Sequence, residues 1–312
     1  MASAFTFPGQ GSQTVGMGKD LADTYKAARE LFEEVDEALQ QNLSRLMWAG
    51  PPEELQLTEN AQPALMAVSL AVVRVLQQAK PGFIGQARCV AGHSLGEYSA
   101  LAAAKTMSVA DTARLLKLRG QSMQKAVPVG VGAMAALLGA ELEQAKAAAA
   151  EGAKVGVCQV ANDNAPGQVV ISGSTGAVEA AIAFAKTLGV KRGMLLPVSA
   201  PFHCALMQPA ADAMAQALAK TAMIDPAVGL IANVTAAVVD DAEEIRRLLV
   251  SQVTGLVRWR ESIEYMAANG VDTIVELGAG KVLSGMAKRI KPDLTLYSIS
   301  SPQELDAFVR AE

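Results

Sequence analysis

Aromatic residues make up only 4% of this 312-residue chain, and it carries three cysteines and two histidines. Cys89, Cys158 and Cys204 have no C-x-x-C spacing, which argues against a disulfide framework and a zinc site and leaves reduced thiols. No stretch reaches the ~18 uninterrupted apolar residues of a membrane span. The N-terminus lacks the basic-then-apolar order of a signal peptide, so a cytoplasmic protein without membrane association is expected. A net charge of −4 gives no general attraction to nucleic acid. Asn233-Val234-Thr235 matches a glycosylation acceptor, which without a secretion signal carries no weight. No cofactor and no metal are expected.

What is abundant is apolar: 51% of the chain, much of it alanine. At about 150 residues per domain, the length suggests one or two domains. Strand-like runs alternate with helical ones, the pattern of an α/β protein with a mostly parallel sheet. "AFTF" reads as a short strand ending in the loop Pro8-Gly9-Gln10-Gly11-Ser12-Gln13. Helices fill most of residues 18–80. After a linker-like "VPVGVG" at 127–132, the pattern predicts strand 131–138, helix 141–151, strands 154–161 and 168–173, helix 175–188 and strand 191–198. That βαββαβ order is a ferredoxin-like unit inserted into a larger body. Residues 128–198 then form a small subdomain, and 1–127 with 199–312 a large one, in which "GLIANVTA" and "VDTIVELG" are further strands.

Within "AGHSLGEY", the order Gly92-His93-Ser94-Leu95-Gly96 follows an apolar run and precedes a helical one. It matches G-x-S-x-G, where a sharp strand-to-helix turn exposes a nucleophilic serine. An ordinary glycine-rich turn is the other reading. A serine needs a base, and His93, its chain neighbour, is turned away. His203 in "SAPFHCALM" remains, at a loop-to-helix junction after Pro201; a hydrogen-bonded structural histidine is the alternative. Both residues would face a cleft between the two bodies, a preferred place for ligands. On the helix 109–124, Val109, Ala113, Leu116, Gly120 and Met123 form an apolar stripe, and Arg114, Lys117, Gln121 and Gln124 a polar face. Arg119 falls about 80° from that stripe, beside Thr112 and Leu115 and away from the solvated charges. It is either a buried cation or a surface arginine. Cys204 reads as a small packed residue. Gly278-Ala279-Gly280-Lys281 reads as a strand-to-helix turn, lacking P-loop spacing.

Phe7-Pro8-Gly9-Gln10-Gly11-Ser12-Gln13, Ala61-Gln62-Pro63-Ala64, Gly92-His93-Ser94-Leu95-Gly96-Glu97, Arg119-Gly120, Pro201-Phe202-His203 and Val257-Arg258-Trp259 occur in this order along the chain. Together they resemble the malonyl-CoA:acyl-carrier-protein transacylases of fatty-acid synthesis, nearly end to end. The resemblance implies a large α/β-hydrolase-like subdomain, a small ferredoxin-like one, and ping-pong transfer through a malonyl-serine ester. It implies Ser94 as nucleophile, His203 as general base, and the backbone amides of Gln10 and Leu95 as the oxyanion hole. Arg119 would pair with the malonyl carboxylate, for which a planar guanidinium suits better than lysine. The histidine would be oriented by a backbone carbonyl, that of Gln252, so no acid is required. Between Ser94 and His203 the one carboxylate of note is Asp163, expected in a distant loop.

Phe202 either restricts room at the malonyl α-carbon or is a core aromatic. Malonyl-CoA and acyl carrier protein are the implied partners, and a monomer is expected. Because carrier proteins are typically acidic, Lys191 and Arg192 with Lys288, Arg289 and Lys291 are candidates for a docking surface, with plain solvated faces as the alternative. A serine esterase or thioesterase would share Ser94 and His203 but would have no need of a buried arginine. A catalytically dead binding module would need neither Ser94 nor His203.

Overall fold

Ser3–Phe7, the first strand (β1), is buried along nearly its whole length, on both faces, as expected of a central strand in a parallel sheet covered by helices. A computed structural model describes residues 2–311 of the chain. The remaining strands are β2 (Cys89–Gly92), β3 (Gly132–Leu138), β4 (Cys158–Ala165), β5 (Gln168–Ser174), β6 (Arg192–Leu195), β7 (Leu230–Ile231), β8 (Val238–Val239), β9 (Thr273–Leu277) and β10 (Thr295–Ile299). One sheet has the order β10-β9-β1-β2-β7-β8. Its pairings are parallel except for β7 with β8. The other has the order β4-β5-β3-β6 and is antiparallel throughout. An α/β-hydrolase-like body thus carries an inserted ferredoxin-like unit. Residues 1 and 312, the outer ends of the expected large-subdomain ranges, lie outside the described residues.

The helix Thr58–Ala79 is apolar around most of its circumference and is buried accordingly. Val109–Ala126 packs against it and begins where Ser108 Oγ accepts from the Asp111 amide at 3.0 Å. In the insertion, alanines explain the close packing of helices on the sheet: Ala145, Ala148 and Ala149 from Leu142–Gly152, and Ala177, Ala181 and Ala185 from Thr175–Thr187, form a core with Ile171 and Leu137 of the sheet. The opposite face of that sheet, with Met134, Ala136 and Val170, joins the main core.

The second strand of the insertion lies further along than 154–161. Lys154 and Val155 still close the preceding helix, donating to Glu151 O and Gly152 O, and β4 runs instead through Asn162-Asp163-Asn164 with two register shifts against β5. Three successive polar residues read as loop in the sequence. They stay in a strand because each has a partner on the large body: Asn162 bridges to Val257, Asp163 to Arg260 and Asn164 to His93. Asp163 is therefore not in a distant loop. It is buried, and Arg260 grips it through Nη2 at 2.8 Å and Nε at 3.0 Å, pinning the insertion to the large body. Likewise β6 ends at Leu195, short of the expected 198. No helix among the described residues is long and apolar enough to cross a membrane.

Candidate active site

At the end of β2 the backbone turns so sharply into the helix Gly96–Ala103 that a Cβ on Gly92 would lie 1.9 Å from the Gly96 carbonyl carbon. A Cβ on Gly96 would lie 2.2 Å from Phe7 O of β1. Only hydrogens fit at these two positions. Ser94, between them, is held at φ +52°, a left-handed conformation rare for a side-chain-bearing residue. Asn233 fixes it there, accepting from the Ser94 amide at 2.8 Å and donating to Gly92 O at 2.7 Å.

Ser94 Oγ lies 2.8 Å from His203 Nε2. His203 is also left-handed, at φ +59°, and its Nδ1 lies 2.9 Å from the backbone oxygen of Gln252. Since a carbonyl only accepts, Nδ1 carries the proton and Nε2 presents a lone pair to the serine hydroxyl. Burial, reinforced by the Arg119 charge, pushes the His203 pKa down to about 3. The imidazole is neutral and ready to take a proton at ordinary pH. His93 points elsewhere, with Nε2 2.8 Å from Asn164 Oδ1, and burial lowers its pKa too.

Arg119 is 1% exposed, which decides between the two readings of its helix face. Its Nη1 donates to Gln62 Oε1 at 2.8 Å; its Nη2 donates to Gln252 Oε1 at 2.8 Å and to Ser94 Oγ at 3.1 Å. Its Cζ sits 5.7 Å from the centre of the Tyr98 ring. Burial lowers its pKa, opposed by Tyr98 and Glu97, yet an arginine has so much to lose that it stays charged. The Gln252 side chain turns its Nε2 the other way, to Ser94 O at 2.9 Å and Glu97 Oε2 at 2.8 Å.

Ser94, His203, Arg119 and Gln62 floor a cleft of about 770 Å³, between the large body and the inserted sheet, that Gln10, Leu95, Phe202, Met134 and Val170 also line. Among the described residues neither the Gln10 nor the Leu95 amide donates a hydrogen bond, so both are free to meet a ligand oxygen. Gln10 is steadied through its side chain, which accepts from Thr58 Oγ1 at 2.8 Å. Phe202 is buried at the wall. Cys204 is buried with its thiol on Pro201 O at 3.2 Å, and burial raises its pKa. At the rim, Arg289 reaches Gln168 in the β4–β5 hairpin, while Lys191 lies against Gly139, whose amide donates to Gly167 O at 2.8 Å in the same hairpin. Lys288 donates to Pro292 O at 2.7 Å, and Arg192 and Lys291 are exposed. Asn233, Glu97, Asn164 and the side chain of Gln252 were not singled out from sequence as site residues. Asn233 had a signal only as part of a glycosylation triplet.

Residues 4–290 match the acyl transferase domain family. The malonyl CoA-acyl carrier protein transacylase of Escherichia coli K12 is 47% identical over 305 residues, covering 97% of each chain. That of Bacillus subtilis is 44% identical, covering 98% of this chain and 96% of its own. The chain belongs to the malonyl-CoA:acyl-carrier-protein transacylase family. Among solved members of the family, the acyl-carrier-protein S-malonyltransferase of Bartonella henselae superposes with a TM-score of 0.97 at 54% identity, covering 100% of this chain and 99% of its own. A malonyl-transacylase solved in complex with its type II PKS acyl-carrier protein superposes at 0.96 with 40% identity, covering 100% of each.

The depressed histidine pKa values have a direct consequence. Nitrogen-15 spectra of histidine-labelled protein are expected to show His203 as the neutral Nδ1–H tautomer, with its ring not titrating between pH 8 and about pH 5 and the His93 ring titrating below its ordinary value. The unfolded chain binds protons on these rings below the ordinary value of 6.5 and the folded one does not, so folding stability drops as pH falls from 6.5 towards the folded-state value of about 3 for His203. A His203 midpoint near 6.5 would mean that solvent reaches the ring.

Proposed function

We propose that this chain moves a malonyl group from malonyl-CoA to the phosphopantetheine thiol of an acyl carrier protein, through a malonyl ester on Ser94. The observation that carries this over plain hydrolysis is the buried Arg119 guanidinium, 3.1 Å from Ser94 Oγ on the floor of the cleft. A malonyl group esterified to Ser94 ends in a carboxylate only two carbons beyond the ester oxygen. In an apolar cleft that charge needs a partner, and Gln62 and Gln252 hold the guanidinium in place to serve as one. A serine esterase or thioesterase would have no use for it.

In the first half-reaction Ser94 Oγ attacks the thioester carbonyl while its proton passes to His203 Nε2. The oxygen that becomes negative is met by the amides of Gln10 and Leu95, two donors worth several kcal/mol in a water-poor site. Collapse of the tetrahedral intermediate breaks the C–S bond, and the departing thiolate takes the proton back from His203. In the second half, the carrier protein's thiol gives its proton to His203 and attacks the ester; Ser94 leaves and recovers that proton. The Gln252 carbonyl stabilises the transient imidazolium, as an acid does in other triads. Phe202 limits bulk at the malonyl α-carbon. Residues 128–198 act as a unit that closes the cleft against 1–127 and 199–312, and Lys191, Arg192, Lys288, Arg289 and Lys291 receive the acidic carrier protein. Three buried free thiols suit a reducing compartment, the cytoplasm.

Removing one partner of a desolvated charge pair costs about 2–5 kcal/mol. Arg119→Ala is therefore expected to lower kcat/KM for malonyl-CoA by roughly 30- to several-thousand-fold while acetyl-CoA falls far less. Arg119→Lys is expected to recover only part of the malonyl rate. Proportional losses for both substrates would make Arg119 a structural residue. Reversing Lys191 and Arg192 to glutamate is expected to raise the KM for carrier protein and leave acylation by malonyl-CoA alone unchanged. A fall in both half-reactions, or in neither, would remove these residues from the docking surface.

A further inference from the structure

We infer that Glu97, directly behind the nucleophile, is a positioning residue whose carboxylate balances Arg119 in the empty site and takes up a proton when a malonyl group arrives. The inference builds on the pairing of Arg119 with the malonyl carboxylate proposed above. Glu97 is fully enclosed at the start of the helix Gly96–Ala103. Its Oε2 accepts from Gln252 Nε2 at 2.8 Å and from the Asn233 amide at 3.2 Å, whereas its Oε1 has no partner among the described residues. On the far side of the same Gln252 amide, Oε1 accepts from Arg119 Nη2 at 2.8 Å. A single planar amide thus separates a buried anion from a buried cation, and its orientation is fixed by having a pure acceptor at one end and a pure donor at the other.

The other charges near this helix are turned away or silent. On Thr58–Ala79, which packs against it, Glu59 faces Lys117 and Arg74 pairs with Glu34. On Val109–Ala126, Arg119 is the buried cation. From β2 and its turn comes His93, and from the loop before Gln208–Lys220 comes His203, both kept neutral by burial. Tyr98, next in the chain, has its phenol pushed up to about 12, again by burial. Among the described residues, Arg119 is therefore the one charge that offsets Glu97. A malonyl carboxylate placed on Arg119 adds a second anion around one cation, in surroundings that screen poorly. Burial already holds the Glu97 pKa up at about 7, so a proton is within reach at neutral pH. One proton enters Glu97 from solvent as the malonyl group docks and leaves when the acyl group passes to the carrier protein. An acetyl group brings no charge and requires no proton. By linkage, malonyl recognition then weakens as pH rises through the Glu97 pKa, and acetyl recognition does not.

The test is the ratio of kcat/KM for malonyl-CoA to that for acetyl-CoA, measured from pH 6 to pH 8. Titrations shared by both reactions, those of His203 and of the coenzyme A phosphates, cancel in this ratio. It is expected to fall roughly five- to tenfold across the range in wild type, and to vary by less than about twofold in Glu97→Gln. A flat wild-type ratio overturns the inference, as does an undiminished slope in Glu97→Gln; the wild-type ratio decides alone if that variant does not fold. Arg119→Ala separates this from the proposal beneath it: a flat wild-type ratio with malonyl preference lost in Arg119→Ala removes the proton coupling only, whereas preference kept in Arg119→Ala overturns the carboxylate pairing itself.

Discussion

Gln252 ties together segments that are far apart in the chain. Its backbone oxygen accepts a hydrogen bond from His203 Nδ1–H, its side-chain oxygen accepts from Arg119, and its side-chain nitrogen donates to both the Ser94 carbonyl and Glu97. The His203 imidazole, the turn that carries Ser94 and the Arg119 guanidinium are thereby positioned by one residue at the end of the helix Ala242–Thr254. Such a hub works because the Gln252 amide is bonded at both ends, its oxygen to Arg119 and its nitrogen to Ser94 O and Glu97, and in a buried network a half-bonded amide is worse than none. The arrangement dispenses with a triad carboxylate: a carbonyl dipole orients the imidazole, and no negative charge is brought next to it. That choice is consistent with the low His203 pKa, which a neighbouring carboxylate would raise.

Backbone strain is present in the site itself. Ser94 and His203 both hold positive φ angles, and each such residue costs on the order of 1–3 kcal/mol. The opposing stabilisation comes from the surroundings: the Asn233 bonds across the turn, and the pair of buried Asp163 with half-buried Arg260 that locks the inserted sheet over the cleft. The alanine-rich composition serves the same end, letting the two helices of the insertion lie close to their sheet while its other face, with Met134 and Val170, is left to wall the cleft.

Local patterns in the sequence were legible because they are short-range. The G-x-S-x-G spacing placed Ser94 on a strand-to-helix turn, and helical phase set Arg119 apart from the solvated charges but left it either buried or at the surface; it proves buried. His203 emerged by elimination in a chain with two histidines, and it does lie beside Ser94. The rest of the site depends on contacts across great sequence separations. Asn233 reaches Ser94 and Gly92 across some 140 residues, and neither its neighbours nor its spacing say so. Glu97 reads as an ordinary first-turn acid of a helix, where negative charge is favoured anyway. The Asn162-Asp163-Asn164 run has loop composition, and only its partners on the large body keep it in β4. Polar residues inside a core are specified by what surrounds them in three dimensions, which periodicity does not record.

The central claim is that Ser94 carries the acyl group between the two substrates. Mass spectrometry of the protein mixed with malonyl-CoA, followed by peptide mapping, tests it directly. One malonyl group per chain is expected, located on the peptide bearing Ser94, absent from Ser94→Ala and discharged on addition of carrier protein bearing its phosphopantetheine thiol. An adduct that persists in Ser94→Ala, or that maps to a cysteine or a lysine, would contradict the account.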